Sequence, residues 1–337
     1  MTKRERVIMA LNHMETDFAP YHVDFTHQEY EKVAAYLNNP NFVNEIGSHI
    51  TGAYYSGYPE EIEGRPGFFR DDFSVVWDRT GADRDIGVVE KYLIEDFETD
   101  FVKLPDPPID RIRKDYESLM QYKGDMFAMG SIGFSMFERA WSLCSMENIL
   151  VGMLLNPDEL HKLLDEICEY NLKIIDVALE YDIDGFYFGD DWGQQKGLIM
   201  GAEHWREFIK PRMARMYKRV KDAGKLILQH SCGDIEEIFP DLIEIGLNCY
   251  QTFQPEIYDI EKVKETFGGE LSFWGGISTQ QLLPFASPEK VKSEIKRILA
   301  IMGKGGGYIL APTHSMPGDI PPENAVAMIE AFKNQSA

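Results

Sequence analysis

A closed (β/α)8 barrel, with an N-terminal helical extension and a long lid loop, is the α/β fold that this sequence predicts. Three observations lead there. Short apolar strand candidates alternate with amphipathic helices through the second half of the chain, the rhythm of right-handed parallel crossovers. Counting from the N-terminus gives eight strand candidates, enough to close a barrel. The 337 residues suit such a barrel, which needs about 250 plus insertions, so a single domain over 1–337 is expected.

Residues 2–13 place Val7, Ala10 and Leu11 on one side and Lys3, Arg4 and Glu5 elsewhere, which predicts a short helix docked on the barrel. The first strand is 19–25 (APYHVDF), with His22 and Asp24 on one face. Two helical pieces broken at Asn38-Asn39-Pro40 fill 29–50. Residues 51–72 are rich in Gly, Tyr and Pro without periodicity, so they read as an ordered loop lying over the mouth. A strand at 73–77 (FSVVW) follows, and 78–98 turns back as a hairpin arm. Helix 114–122 precedes strand 126–131 (MFAMGS). In the helical segment after it, Met136, Phe137, Trp141 and Met146 suit a core better than a substrate slot. Helix 157–181 then leads to strand 185–193 (GFYFGDDWG), helix 205–222 and strand 225–233 (KLILQHSCG). Shorter units complete the count: helix 235–245, strand 248–253, helix 259–267, strand 271–275, helix 288–302, strand 307–312 and helix 322–332, which starts on Pro321-Pro322.

The formal net charge is −22, from 56 acidic and 34 basic residues. That field repels nucleic acid, anionic membrane and polyanionic substrates alike. The four cysteines, Cys144, Cys168, Cys232 and Cys249, are scattered, and a chain of this size needs no staples, so a reducing interior is expected. No stretch approaches about 18 apolar residues, and the N-terminal run VIMAL is too short for a signal peptide. A cytosolic protein is expected.

Chemistry concentrates at strand ends. In KLILQHSCG, His230 and Cys232 lie two apart and so point the same way. Imidazole and thiolate side by side suit Zn²⁺, and the C-terminal end of a parallel strand is where such a barrel keeps its site. A lone H-x-C is also what an ordinary core produces. His314, just past the strand YILAP, stands in the same position of a later unit and tips the reading towards a three-ligand metal site. The adjacent acids Asp190 and Asp191 are costly at a strand end unless solvated or paired. At least one is expected to act catalytically, by orienting a ligand histidine or accepting a proton, with helix capping as the alternative. His22, Asp24, Tyr54, Tyr55, Trp192 and Trp274 are the candidate substrate contacts; ordinary packing is the competing account of each.

The pattern HSCGDIEEIFPDLIEIGLN, then FWGGIST, then YILAPTH and DIPPEN, together with GFYFGDDWG, resembles the uroporphyrinogen decarboxylase superfamily over nearly the full chain. The resemblance implies a TIM-type barrel and leaves two activities, porphyrinogen decarboxylation and zinc-dependent, cobalamin-linked methyl transfer. True decarboxylases resemble one another in an Arg-rich N-terminal segment that holds the substrate's carboxylates, whereas this chain has no Arg from 7 to 64. An octa-anionic substrate on a protein of this charge is electrostatically mismatched. The methyltransferase branch matches at H-x-C, with His230 and Cys232 as implied zinc ligands. Its thiol-methylating members, which act on coenzyme M, carry a second Cys where this chain has His314. An imidazole there raises the charge at zinc by one unit and favours an oxygen leaving group. No D-x-H-x-x-G occurs, so a corrinoid would arrive on a separate protein.

The expected function is therefore a zinc methyltransferase moving a methyl group from a small methylated compound, foremost a methoxylated aromatic, to the Co(I) corrinoid of a partner protein. The alternatives are a metal-free decarboxylase of a porphyrinogen-like or smaller carboxylate, using Asp190 or Asp191 as its acid, a coenzyme M type methyltransferase, and a non-catalytic corrinoid carrier. Assembly as a homodimer is left open.

Overall fold

Seven parallel strands make one curled sheet in strictly sequential order: β1 (Ile50–Tyr55), β2 (Phe127–Ile132), β3 (Gly185–Gly189), β4 (Leu226–His230), β5 (Cys249–Phe253), β6 (Ser272–Ile277) and β7 (Tyr308–Pro312). The computed structural model describes residues 1–81, 87–100 and 103–335. Sequential parallel order requires a crossover after each strand, and helices such as Pro157–Ala178, Lys210–Asp222 and Pro288–Met302 supply the outer layer. Strands β5, β6 and β7 are buried along their whole length. Parallel strands covered on both faces read as continuous apolar runs for this reason.

The expected first strand, 19–25, is not a regular strand. Pro20 lacks an N–H, and the segment makes only isolated parallel bridges, Tyr21 to Leu310 and Phe25 to Met316. On its other side the His49 N–H donates to the Tyr21 carbonyl at 2.9 Å. It therefore lies between β7 and β1 and closes the barrel as an irregular eighth stave.

A second correction concerns the lid. Residues 51–55, expected as loop, belong to β1, in register with β2 from Ile50 opposite Phe127 to Tyr55 opposite Ile132. Gly52 is what the pairing needs there, because a Cβ would meet the Met129 carbonyl at 2.8 Å. The lid begins after β1 and is a small antiparallel sheet of Glu60–Glu61, Phe68–Arg70, Val76–Asp78 and Val88–Val89. The strand expected at 73–77 and counted towards the barrel is thus a lid strand, Val76–Asp78, and the expected hairpin arm joins the same sheet at Val88–Val89; residues 82–86 of that arm lie outside the described residues. Asp71 ties this sheet to the barrel. Its carboxylate accepts the N–H groups of Phe73 (3.0 Å) and Val75 (2.9 Å), the Trp77 indole (3.1 Å) and the Arg139 guanidinium (2.9 Å).

The helix Lys3–Leu11 plugs the bottom. Its N-cap Thr2 and Glu5 form a reciprocal capping box, and Val7 and Leu11 complete an interior cluster with Ile50, Phe127, Leu228, Cys249, Trp274 and Ile309. Trp274 thus separates the plug below from the mouth above. No helix among the described residues is long and apolar enough to cross a membrane.

Arg139 and Asp71 are 2% and 1% exposed, so removing one partner strands the other charge away from water. Asp71→Ala should lower the unfolding free energy by about 3–5 kcal/mol, read from urea denaturation. A loss under about 1 kcal/mol, the scale of a surface pair, would mean that other contacts hold the lid.

Candidate metal centre

Strand β4 runs out at His230, and the next three residues are pinned from both sides. The Asp190 N–H donates to the His230 carbonyl at 3.1 Å, and the Ser231 N–H to the Gln251 carbonyl at 2.7 Å. Ser231 Oγ accepts the Trp192 N–H at 2.9 Å, and Asp191 accepts the Cys232 N–H at 2.7 Å. Gly233 has φ +78°, and a Cβ there would stand 2.3 Å from the Gly193 backbone. Glycine is therefore required where the two strand-end loops touch.

Held this way, His230 Nε2 and Cys232 Sγ are 3.6 Å apart. His314, beyond β7, leans back across the mouth with its ring centroid 5.8 Å from that of His230. The donor atoms of His230, Cys232 and His314 all lie within 4.8 Å of one another. Two ligands at about 2.0 and 2.3 Å from a tetrahedral ion sit roughly 3.6 Å apart, which is the His230–Cys232 spacing. On the far side of the His230 ring, Nδ1–H donates to Gln251 Oε1, which also accepts the Tyr187 hydroxyl at 2.7 Å. That bond fixes the tautomer and leaves Nε2 facing the thiol, the support that ligating histidines have.

The two adjacent acids divide. Asp190 is fully buried and accepts the N–H groups of Met136 (3.2 Å), Phe137 (2.9 Å) and Glu138 (2.8 Å) and the Trp192 indole. It caps the helix Phe137–Cys144 and does not reach the cavity, so the catalytic role expected for it has no access to substrate. Asp191 does face the cavity, 3.2 Å from His230 Nε2. Burial opposes its ionisation, but the hydrogen bonds and charge of His230 and the Cys232 N–H outweigh it and hold its pKa at about 2. Burial likewise opposes charge on His230, yet Tyr187, Asp191 and Cys232 push that imidazole well above its ordinary range.

A cavity of about 610 Å³ opens over these residues, within the range of small-ligand sites. His22, Asp24, Tyr54 and Trp274 line it, as do Asp191, His230 and His314. Two other expected contacts do not. Tyr55 points outward, bonding Tyr170 and Asp72, and Trp192 is buried against Trp205 with centroids 5.3 Å apart. The reason is the strand pleat, which turns sequence neighbours to opposite faces. Met136 and Phe137 are core. Gln251, Tyr187, Phe134 and Glu138 join the site without having been expected. Gln251 was accessible in principle, since parallel register sets it opposite His230; nothing in the sequence around Glu138 marks it. No Lys or Arg lies among the described residues that line it.

The family model described as "Uroporphyrinogen decarboxylase (URO-D)" matches residues 82–335. A uroporphyrinogen decarboxylase of Pseudoalteromonas atlantica is 23% identical over 185 residues, 54% of this chain and 50% of that protein. A methylated-thiol–coenzyme M methyltransferase of Methanosarcina mazei is 21% identical over 225 residues, 67% of this chain and 56% of that one. The chain thus spans about half the length of the curated relatives it matches. Among solved structures, a methyltransferase from Methanosarcina mazei superposes with a TM-score of 0.73 at 19% identity, over 100% of both chains, which shows the barrel fold.

The two acids should separate experimentally. Asp190→Asn removes acceptor capacity under the helix N-terminus and should cost about 1–3 kcal/mol of stability; wild-type stability in that variant would exclude the capping role. Asp191 has a depressed pKa, so its contribution is present above the ordinary value of 3.8 and is lost as pH falls towards about 2. In the metal-free protein, the stability difference between wild type and Asp191→Asn should follow that window.

Proposed function

The chain belongs to the uroporphyrinogen decarboxylase family, and from that membership we propose that it is a zinc-dependent methyltransferase, moving a methyl group from a small methylated compound to the Co(I) corrinoid of a separate protein. The observation that carries this reading is the convergence of His230, Cys232 and His314 within 4.8 Å at the mouth of the barrel. The donor set fits zinc: two imidazoles and a thiolate, with the His230 tautomer fixed by Gln251. Bound there, zinc would supply Lewis-acid polarisation of the substrate's heteroatom. The protein's own residues do the rest. Gln251 orients His230, Asp191 holds the turn that carries Cys232 through its N–H, the Asp24–Ser315 hydrogen bond of 2.8 Å steadies the loop carrying His314, and the Asp71 latch holds the lid beside the mouth.

The lining residues support an uncharged aromatic donor, a methoxylated arene. Tyr54, Phe134, Tyr187 and Trp274 give apolar walls, and with Asp24, Glu138 and Asp191 but no Lys or Arg among the described lining residues, the cavity lacks the guanidinium and ammonium partners that a polycarboxylate needs. The decarboxylase alternative therefore stands below methyl transfer here. The similarity to the methylated-thiol–coenzyme M enzyme keeps thiol methylation as the second reading. Two imidazoles and one thiolate leave a formal charge of +1 at zinc, which favours oxygen over a thiol.

Metal analysis after chelator-free purification should find close to one zinc per chain, and His314→Ala should bind it more weakly by more than the roughly 10–100-fold that loss of a partner behind a ligand costs. Zinc retained undiminished by that variant would unseat His314 as a ligand. His314→Cys should keep zinc while losing demethylation of methoxyarenes in the presence of a reduced corrinoid protein. A wild type that methylates thiols from methylcobalamin, and a Cys variant that does so faster, would reverse the assignment in favour of the thiol reading.

A further inference from the structure

Resting on the methyl-transfer reading, we propose that Glu138 is the acid of this site and gives its carboxyl proton to the substrate oxygen as the methyl group leaves. Three features of the cavity carry the proposal. Glu138 stands in the first turn of the helix Phe137–Cys144, where its own N–H is tied to Asp190 at 2.8 Å. Its side chain is thereby directed into the cavity shared with His230, His314 and Asp191. The other lining acids are engaged: Asp191 holds His230 and the Cys232 N–H, and Asp24 accepts the Ser315 hydroxyl at 2.8 Å and the Phe25 N–H at 2.9 Å. Among the described residues the Glu138 carboxyl takes the Asp191 N–H, and Arg139 beside it is turned away to Asp71.

The second feature is the charge balance of the reaction. Breaking the methyl–oxygen bond leaves the bonding pair on oxygen, while the Co(I) electron pair forms the bond to the methyl carbon. Part of that charge would be taken up at zinc, but the oxyanion also faces Asp24 and Asp191 with no Lys or Arg among the described lining residues, and Glu138 is the proton source among them that is not already engaged. Transfer from Glu138 yields the hydroxyl product and a carboxylate, which regains its proton from water at the open mouth. Thirdly, burial and then the charges of Asp191 and Asp190 push the Glu138 carboxyl well above the ordinary carboxylate range, with His230 opposing. Such an environment favours the protonated form of the carboxyl.

The test uses zinc-loaded protein, free cob(I)alamin as acceptor, and two ethers, methoxybenzene and 4-cyanomethoxybenzene. Glu138→Gln, with zinc content unchanged, should slow demethylation of methoxybenzene about 10²–10⁴-fold and that of the cyano ether far less, because the less basic cyanophenolate has less need of a proton to leave. Glu138→Asp should recover part of the rate. An equal loss for both ethers, or none, overturns the proposal. Independently of turnover, infrared difference spectra at neutral pH should show a protonated-carboxyl band in the wild type that Glu138→Gln lacks; absence of the band in the wild type also overturns it. A wild type that shows the band yet demethylates neither ether removes the methyl-transfer reading, and the proposed role with it.

Discussion

Two adjacent carboxylates at the end of β3 must both be satisfied in a site largely shielded from water, and the pleat forces them in opposite directions. Asp190 turns inward and takes the three leading N–H groups of the helix Phe137–Cys144, where a carboxylate meets both unpaired donors and the positive end of the helix dipole. Asp191 turns to the mouth and takes the Cys232 N–H and His230. The first bond fixes the helix that carries Arg139 and so the latch to the lid sheet. The second fixes the turn that carries the metal-type ligands. Lid, helix and ligand loop are thus coupled through one pair of residues.

Around this pair the electrostatics are asymmetric. The chain carries a net charge of −22, and its cavity adds three acids with no Lys or Arg among the described lining residues. A divalent cation bound by two neutral imidazoles and a thiolate would be the dominant positive charge at the mouth. Every acid there is then best placed either to orient a ligand or to carry a proton, and the structure offers one residue suited to each task, Asp191 and Glu138. With its aromatic walls, the proposed site would select by polarity rather than by ion pairing.

Much of this was legible in the sequence because parallel barrel strands are apolar runs, and alternate residues at and just past their C-terminal ends face the mouth. His230 and Cys232 at spacing two, Asp191, and His314 beyond YILAP follow from that rule. What failed was parity and register. Tyr54 and Tyr55, or Asp191 and Trp192, are neighbours in sequence but face opposite sides, and composition does not say which. The Gly- and Tyr-rich start of β1 looked like loop because Gly52 serves a close strand approach, and the stave at 19–25 lost its ladder at Pro20. Gln251 and Glu138 become site residues only through tertiary placement, one by register with His230, the other by the helix that Asp190 caps.

The central claim is a zinc ion held by one sulfur and two nitrogens of this chain. Zinc K-edge X-ray absorption on the purified protein tests it most directly. The account predicts one sulfur neighbour at about 2.3 Å and two imidazole nitrogens at about 2.0–2.1 Å, with the sulfur shell lost in Cys232→Ser and one imidazole lost in His314→Ala. A first shell without sulfur, with two sulfurs, or unchanged in both variants would contradict it.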